Sequence, residues 1–263
     1  MSRPPADSLT TSRGAVDAFG RASVLAAVEA LKQGQIIVVT DDPDRENEGK
    51  PTGIERAQPR SACHAPCPGP SPHATRGLLM RLRAPDAGDL IMAGEFATQE
   101  SIAFFVRHTS GVICVSVPGP TLEALELPPM CHNNEDPKGT AFTVSTDVRA
   151  GTTTGISAAD RAATFRALAD PASRASDFMR PGHVFPLRPR SGGVLERGGH
   201  TEAAVDFCKL AGLRPCGVLS EIVNDDGSMA RVPDLVPFCE RHNLVLTSID
   251  DLQQYIKETR APM

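Results

Sequence analysis

Three short stretches of this 263-residue chain carry residue types that could do chemistry together. The first is Asp41, Asp42, Asp44, Arg45, Glu46 and Glu48 in the string DDPDRENEG. Carboxylates packed this densely suit hard divalent cations such as Mg2+, which take oxygen ligands. Taken alone, a solvated charged loop is the simpler account of them. The second stretch is Arg197, Gly198, Gly199, His200 and Thr201, running straight into a helical pattern. Paired glycines let backbone approach a ligand, a helix start presents free N–H groups, and Arg and Thr add donors. That is a phosphate cradle with His200 left over for metal or proton work; a flexible turn with a capping threonine is the alternative. The third is His183, in RPGH, together with Glu221 in the apolar run VLSEIV. A carboxylate buried in an apolar strand is costly unless paired, and such a group suits proton transfer. An exposed position at a strand edge is the bland reading of Glu221.

A fourth cluster, Cys63-His64-x-x-Cys67 with His73, has the composition of a zinc site. Its surroundings are prolines with no hairpin pattern, and four ligands need a turn and a fold to hold them, so chance is the better explanation. His108, His132 and His242 have no ligand-type neighbours in the sequence.

The elements that must position these groups alternate. Val24, Leu25, Val28 and Leu31 fall at helical spacing and Gly34 ends that helix. The strand QIIVVT (35–40) then feeds directly into the acidic string, at a strand end where chemistry is often placed. Helices are expected over 98–110, 121–127, from a Ser157/Asp160 capping box to about 169, over 201–211, over VPDLVPFCERHN, and from Ser248 onward. Strands are expected at VICVSV, AFTVSTDV (141–148), GVLSEIV and LVLTSI, with 171–199 as a long irregular stretch. Such alternation indicates an α/β (α+β) fold: one domain over 21–259, a mixed sheet layered with helices, behind a disordered tail over 1–20.

Composition narrows the function class. Hydrophobic residues at 40% and charged residues at 22% are ordinary for a globular domain. A net charge of −5 gives no basic surface for nucleic acid or anionic membrane, and aromatics at 4% with no Trp argue against base-stacking. No run approaches the length of a membrane span, and the N-terminus lacks a signal core. Seven scattered cysteines, mostly in apolar contexts, fit a reducing, cytoplasmic setting.

In order along the chain, the strings DDPDRENEG, DLIMAGEFAT, FFVRHTSGVICV, LPPMCHNNED, AFTVSTDVRAGTTTGISAADRA, DFMRPGHVFPLR, GGVLERGGHTEA and AGLRPCGVLSEIVNDDG resemble the 3,4-dihydroxy-2-butanone 4-phosphate synthases of riboflavin biosynthesis, in their monofunctional form. The resemblance implies conversion of D-ribulose 5-phosphate to L-3,4-dihydroxy-2-butanone 4-phosphate and formate, with Mg2+ (or Mn2+) as cofactor. It implies Glu46 and His200 as metal ligands, and Arg45, Glu46, Asp89, Arg197, Gly198, Gly199, His200, Thr201 and Glu221 as substrate contacts. His183 and Glu221 match positions needed for catalysis, and a homodimer with sites near the subunit interface is implied.

One departure interrupts the match. The family pattern runs RENEG-DL, whereas here residues 50–88 separate Gly49 from Asp89-Leu90. This excess holds seven prolines, six basic residues and two acidic ones, and is expected to be disordered. Closing a loop of that length costs only about a few kcal/mol, so the fold tolerates it; a pocket that must exclude water is more sensitive. Gly49-Lys50 can be encoded GGT-AAG and Ala87-Gly88 GCA-GGC, a donor and an acceptor whose splicing restores RENEGDL in frame. The excess is therefore read as a retained intron, against a lineage-specific loop.

Overall fold

The computed structural model describes residues 19–41 and 87–260. Seven strands form one sheet: β1 (Ile37–Thr40), β2 (Gly88–Ala93), β3 (Cys114–Ser116), β4 (Thr146–Val148), β5 (Phe178–Leu187), β6 (Gly217–Glu221) and β7 (Val245–Ser248), in the order β4-β5-β3-β6-β2-β1-β7. The sheet is mixed. β1–β7 and β3–β5 pair parallel, whereas β1–β2, β2–β6, β3–β6 and β4–β5 pair antiparallel.

Runs such as IVVT and LIMA are apolar on both strand faces, which only makes sense if both faces are covered. They are. Val38, Leu90, Met92, Val115 and Val218 point into one core, beneath α2 (Gln99–His108), α4 (Ala158–Ala169) and α6 (Val232–His242). Their strand neighbours Ile37, Val39, Ile91, Cys114 and Leu219 point into the other, beneath α1 (Arg21–Lys32), α5 (His200–Leu210) and α7 (Ile249–Arg260). A short α3 (Gly119–Ala124) adds Leu122 to the first core. Phe105, Phe165 and Phe178 anchor that core and Phe207 the second, all fully buried. Truncating any of them to alanine costs about 3–5 kcal/mol. The result is helix–sheet–helix layering, as the alternation of elements implied.

Three local expectations need correction. The stretch 171–199 is not irregular: it contains β5, whose Pro181, Gly182 and Pro186 hide a strand from a propensity argument. Conversely, AFTVSTDV yields only the short β4. The Ser157/Asp160 box is half made. Ser157 caps the Asp160 N–H at 3.0 Å, but the Asp160 carboxylate turns away to accept from Thr153 and Gly155. Nearly all of the expected tail and of the interruption lie outside the described residues, as do Arg45, Glu46 and the Cys63–His73 cluster. What is described at the interruption is its neck: Thr40 pairs with Gly88, and the Asp41 N–H donates to the Ala87 carbonyl at 3.0 Å.

Candidate active site

Three adjacent strands place chemistry in one row. Asp89 on β2 stands opposite Val39 on β1 and opposite Glu221 on β6. Above this row α5 begins, and between them lies a cavity of about 270 Å3 lined by Asp89, Lys138, Arg197, His200, Thr201 and Glu221, among others.

The start of α5 is built by its own carboxylates. Its N-cap, Gly199, offers no side chain to the first-turn N–H groups, which are left for a ligand. Glu202, one turn in and 1% exposed, accepts from the Arg190 N–H at 2.9 Å and from the Arg197 guanidinium at 2.5 Å. Asp206 accepts from the Val194 N–H at 2.9 Å, and Gln253 donates to the Val194 carbonyl at 2.8 Å. The leading loop 190–199 is thereby tied to the helix it precedes. A Cβ at Gly199 would stand 2.4 Å from an Arg197 nitrogen and 2.8 Å from the Glu202 carboxylate, so a larger residue there would push that pair aside. Arg197 also donates to the Lys138 carbonyl at 3.2 Å and to the Thr140 hydroxyl at 3.4 Å, which brings the loop CHNNEDPKGT to the cavity rim. That loop is preformed: the Thr140 N–H beside Asp136 holds its carboxyl below the usual range.

His200 has a defined tautomer. Its Nε2 lies 3.0 Å from the Val39 carbonyl, which can only accept, so Nε2 carries the proton. Nδ1 then presents a lone pair 3.5 Å from an Asp89 carboxylate oxygen. An imidazole nitrogen and a carboxylate oxygen side by side are atoms that a divalent cation can take as ligands. The donor set fits a divalent ion to that extent. Among the described residues no group of three or more His, Cys, Asp or Glu gathers as a complete ligand set.

Glu221 departs from expectation. It is the last residue of β6 and is exposed, not buried in an apolar strand, so desolvation is not what equips it. Its carbonyl accepts the Ser110 N–H at 2.8 Å, which fixes the strand end at the cavity wall. Beside it, burial together with the Asp89 and Glu221 carboxylates pushes the Cys114 thiol up to about 12, so this cysteine stays neutral and acts as wall.

His183 is not in that wall. It sits on β5 beyond Val184, at least three strand residues from the cavity-lining Leu187, on the order of 10 Å along the strand. There the ladder bulges: Thr146 pairs with Val184 but Asp147 with Met179, so residues 180–183 fold out over a single step of β4. The imidazole Nδ1 and the backbone N–H of His183 both meet the Asp147 carboxylate, at 2.7 and 2.8 Å.

Thus Arg197, Gly198, Gly199, His200, Thr201, Asp89 and Glu221 converge around one cavity or the loop entering it, His183 stands apart, and Arg45 and Glu46 fall outside the described residues. Ser110, Cys114, Lys138, Thr140 and Glu202 were not singled out in the sequence as site residues. Glu202, in register one residue after Thr201, was the most findable, because an acidic first turn beside an arginine implies a pair. Nothing in the spacing marked Lys138 or Thr140.

A family model of 3,4-dihydroxy-2-butanone 4-phosphate synthase matches residues 83–255. The chain is 46% identical over 231 residues to 3,4-dihydroxy-2-butanone 4-phosphate synthase of Agrobacterium fabrum, covering 88% of this chain and 90% of that one. It is 48% identical over 233 residues to the riboflavin biosynthesis protein RibBA of Salinispora arenicola, covering 89% of this chain and 46% of that protein. The chain thus spans about half the length of the RibBA relatives it matches. Among solved structures it is similar to a 3,4-dihydroxy-2-butanone 4-phosphate synthase in complex with two magnesium ions, with TM-score 0.73, 39% identity, and 91% and 99% of the two chains covered. The enzyme of Candida albicans aligns with TM-score 0.69 at 40% identity, over 89% of this chain and 96% of that one. With the fold, the cavity and these relatives in agreement, the chain belongs to the 3,4-dihydroxy-2-butanone 4-phosphate synthase family.

Proposed function

We propose that this chain converts D-ribulose 5-phosphate to L-3,4-dihydroxy-2-butanone 4-phosphate and formate, a step of riboflavin biosynthesis. The observation that carries the proposal is the convergence of Arg197, the free N–H groups at the start of α5, His200, Asp89 and Glu221 on one cavity. The phosphate binds at the α5 N-terminus against Arg197 and Thr201, where charge-assisted bonds and the helix dipole act together. Arg45, Glu46 and Asp89 contact the sugar oxygens. Mg2+ (or Mn2+), held by Glu46 and His200, would supply polarisation of the substrate carbonyl. Glu221 and His183 move protons: one is removed beside the carbonyl, the skeleton rearranges, and C4 leaves as formate. Because His183 lies outside the cavity of its own chain, a homodimer in which a partner's His183 completes the site is the arrangement that serves this chemistry. Formate release from ribulose 5-phosphate with Mg2+ is the test; its absence from every form of the chain overturns the assignment.

A second reading rests on the interruption. The neck at Thr40/Gly88 and Asp41/Ala87 keeps β1 and β2 in register, which supports folding around residues 50–88. It does not protect the acidic loop, where Asp89 is separated in sequence from Arg45 and Glu46. A chain lacking Lys50–Gly88 is therefore expected to turn over faster than the full chain. Equal turnover sinks the view of this segment as an interruption, and any junction codons other than a GT donor and AG acceptor sink the intron origin.

A further inference from the structure

We infer that Asp147 is a positioning residue for His183, fixing both the ring orientation and the tautomer that leaves the Nε2 lone pair free to accept a proton. The inference rests on the proposed role of His183 and adds to it the device that makes the imidazole serviceable. Asp147 is buried, with 3% of its side chain exposed, while 42% of the His183 side chain is exposed. One carboxylate takes two N–H groups of the same residue: the backbone N–H at Oδ1 and ring Nδ1 at Oδ2. Holding backbone and ring together removes the χ1 and χ2 freedom that a half-exposed imidazole otherwise keeps. An acceptor at Nδ1 requires the proton there, so the Nε2 lone pair points outward.

The surroundings are shaped around this pair. At Gly182 a Cβ would stand 2.1 Å from the Thr146 carbonyl carbon, so the bulge lies directly on the β4 backbone. The Gly182 N–H is anchored on the Ser145 hydroxyl at 3.2 Å. From the other side comes Gly155, at φ +92°, where a Cβ would fall 2.0 Å from Asp147 Oδ2 and 2.6 Å from His183 Nδ1. Only a glycine can close over the hydrogen bond. Its loop is held by Asp160, which accepts from the Thr153 hydroxyl at 2.8 Å, the Thr153 N–H at 3.2 Å and the Gly155 N–H at 3.0 Å. These bonds, the Thr153 hydroxyl foremost, hold the Asp160 carboxyl below its usual range. The half-made capping box is thus explained: the second half of the box holds the loop that covers Asp147.

The test uses the full, Mg2+-loaded chain, or its Lys50–Gly88 deletion should that be the form that turns over. Asp147→Asn keeps the shape but can present an amide N–H to Nδ1; kcat is expected to fall by about 100-fold or more, with KM within about threefold. Histidine-selective 15N labelling of the wild-type protein, with His183→Ala to assign the signal, should show neutral His183 protonated at Nδ1. This measurement does not depend on the variant folding. A neutral His183 protonated at Nε2 overturns the inference, and so does an Asp147→Asn enzyme within threefold of wild-type kcat. If His183→Ala itself retains wild-type turnover, the catalytic role of His183 is what fails, and the two failures are distinguished.

Discussion

Arg197 and His183 are each held by a buried carboxylate, yet the two regions use that device in opposite ways. At the cavity, Glu202 and Asp206 reach back from α5 to their own leading loop, and the arginine that Glu202 holds is itself mostly enclosed. At the β4–β5 end of the sheet, Asp147 is enclosed but the imidazole it fixes is turned outward. One carboxylate holds an enclosed group and the other an exposed one. Positioning and enclosure are therefore separable: a rigid group needs a rigid anchor, not a pocket.

The largest effects are expected at the two proton-transfer groups. His183→Ala and Glu221→Gln should each lower kcat by about 1,000-fold or more, as loss of a proton-transfer group does. Co-expressed, the two variants should regain about a quarter of wild-type formate release, because half of the dimers are mixed and each mixed dimer holds one intact site. A mixture no more active than its parts places His183 in its own chain's chemistry. Next is Glu202→Gln, which leaves Arg197 without its charged partner. KM for ribulose 5-phosphate is expected to rise about 10- to 100-fold with a smaller change in kcat, since the lost bond is charge-assisted. An unchanged KM would mean that Arg197 needs no carboxylate to be aimed.

Gly182→Ala probes the exposed imidazole. A methyl placed against the Thr146 and Asp147 backbone has nowhere to go, and overpacking of this kind costs about 1–3 kcal/mol. A melting temperature lower by several degrees is expected, with kcat reduced more than KM is raised. The smallest effect is one of pH, in a third region. His108 and His242 lie with ring centroids 5.0 Å apart, between Phe104 and Phe238. Burial, with His242 and Arg107 adding to it and Asp225 opposing, holds His108 below its usual range. The folded chain therefore binds fewer protons than the unfolded one around pH 6, so stability is full above about pH 6.5 and declines as pH falls below it. His108→Gln should flatten the melting temperature between pH 7.5 and 5.5; an unaltered slope would show that other groups set it.

What the sequence made legible follows from how local each signal is. The α5 start could be read because glycines, arginine, histidine and threonine are contiguous, and the layered sheet because both-face apolar runs alternate with helical ones. Glu221 was found as a residue but misplaced in environment, since an apolar run does not say where its strand ends. The strand carrying His183 was missed because prolines and a glycine count against a strand, while the bulge that needs them depends on β4. Asp147 was invisible for the same reason: its partner is His183, brought in by register and not by spacing.

The pairing of β1 with β7 has a consequence for how the chain comes to its fold. Ile37 lies opposite Val245, and Thr40 opposite Ser248, so two strands far apart in sequence are stitched together. A growing chain leaves the β1 edge unsatisfied until β7 has been made. Contacts of such long sequence separation form slowly, and an apolar strand edge left open invites pairing with other chains. Loss of β7 and α7 would thus show itself as aggregation of nascent protein before it showed itself as lost activity, and β7 acts as the clasp that covers the apolar β1 edge.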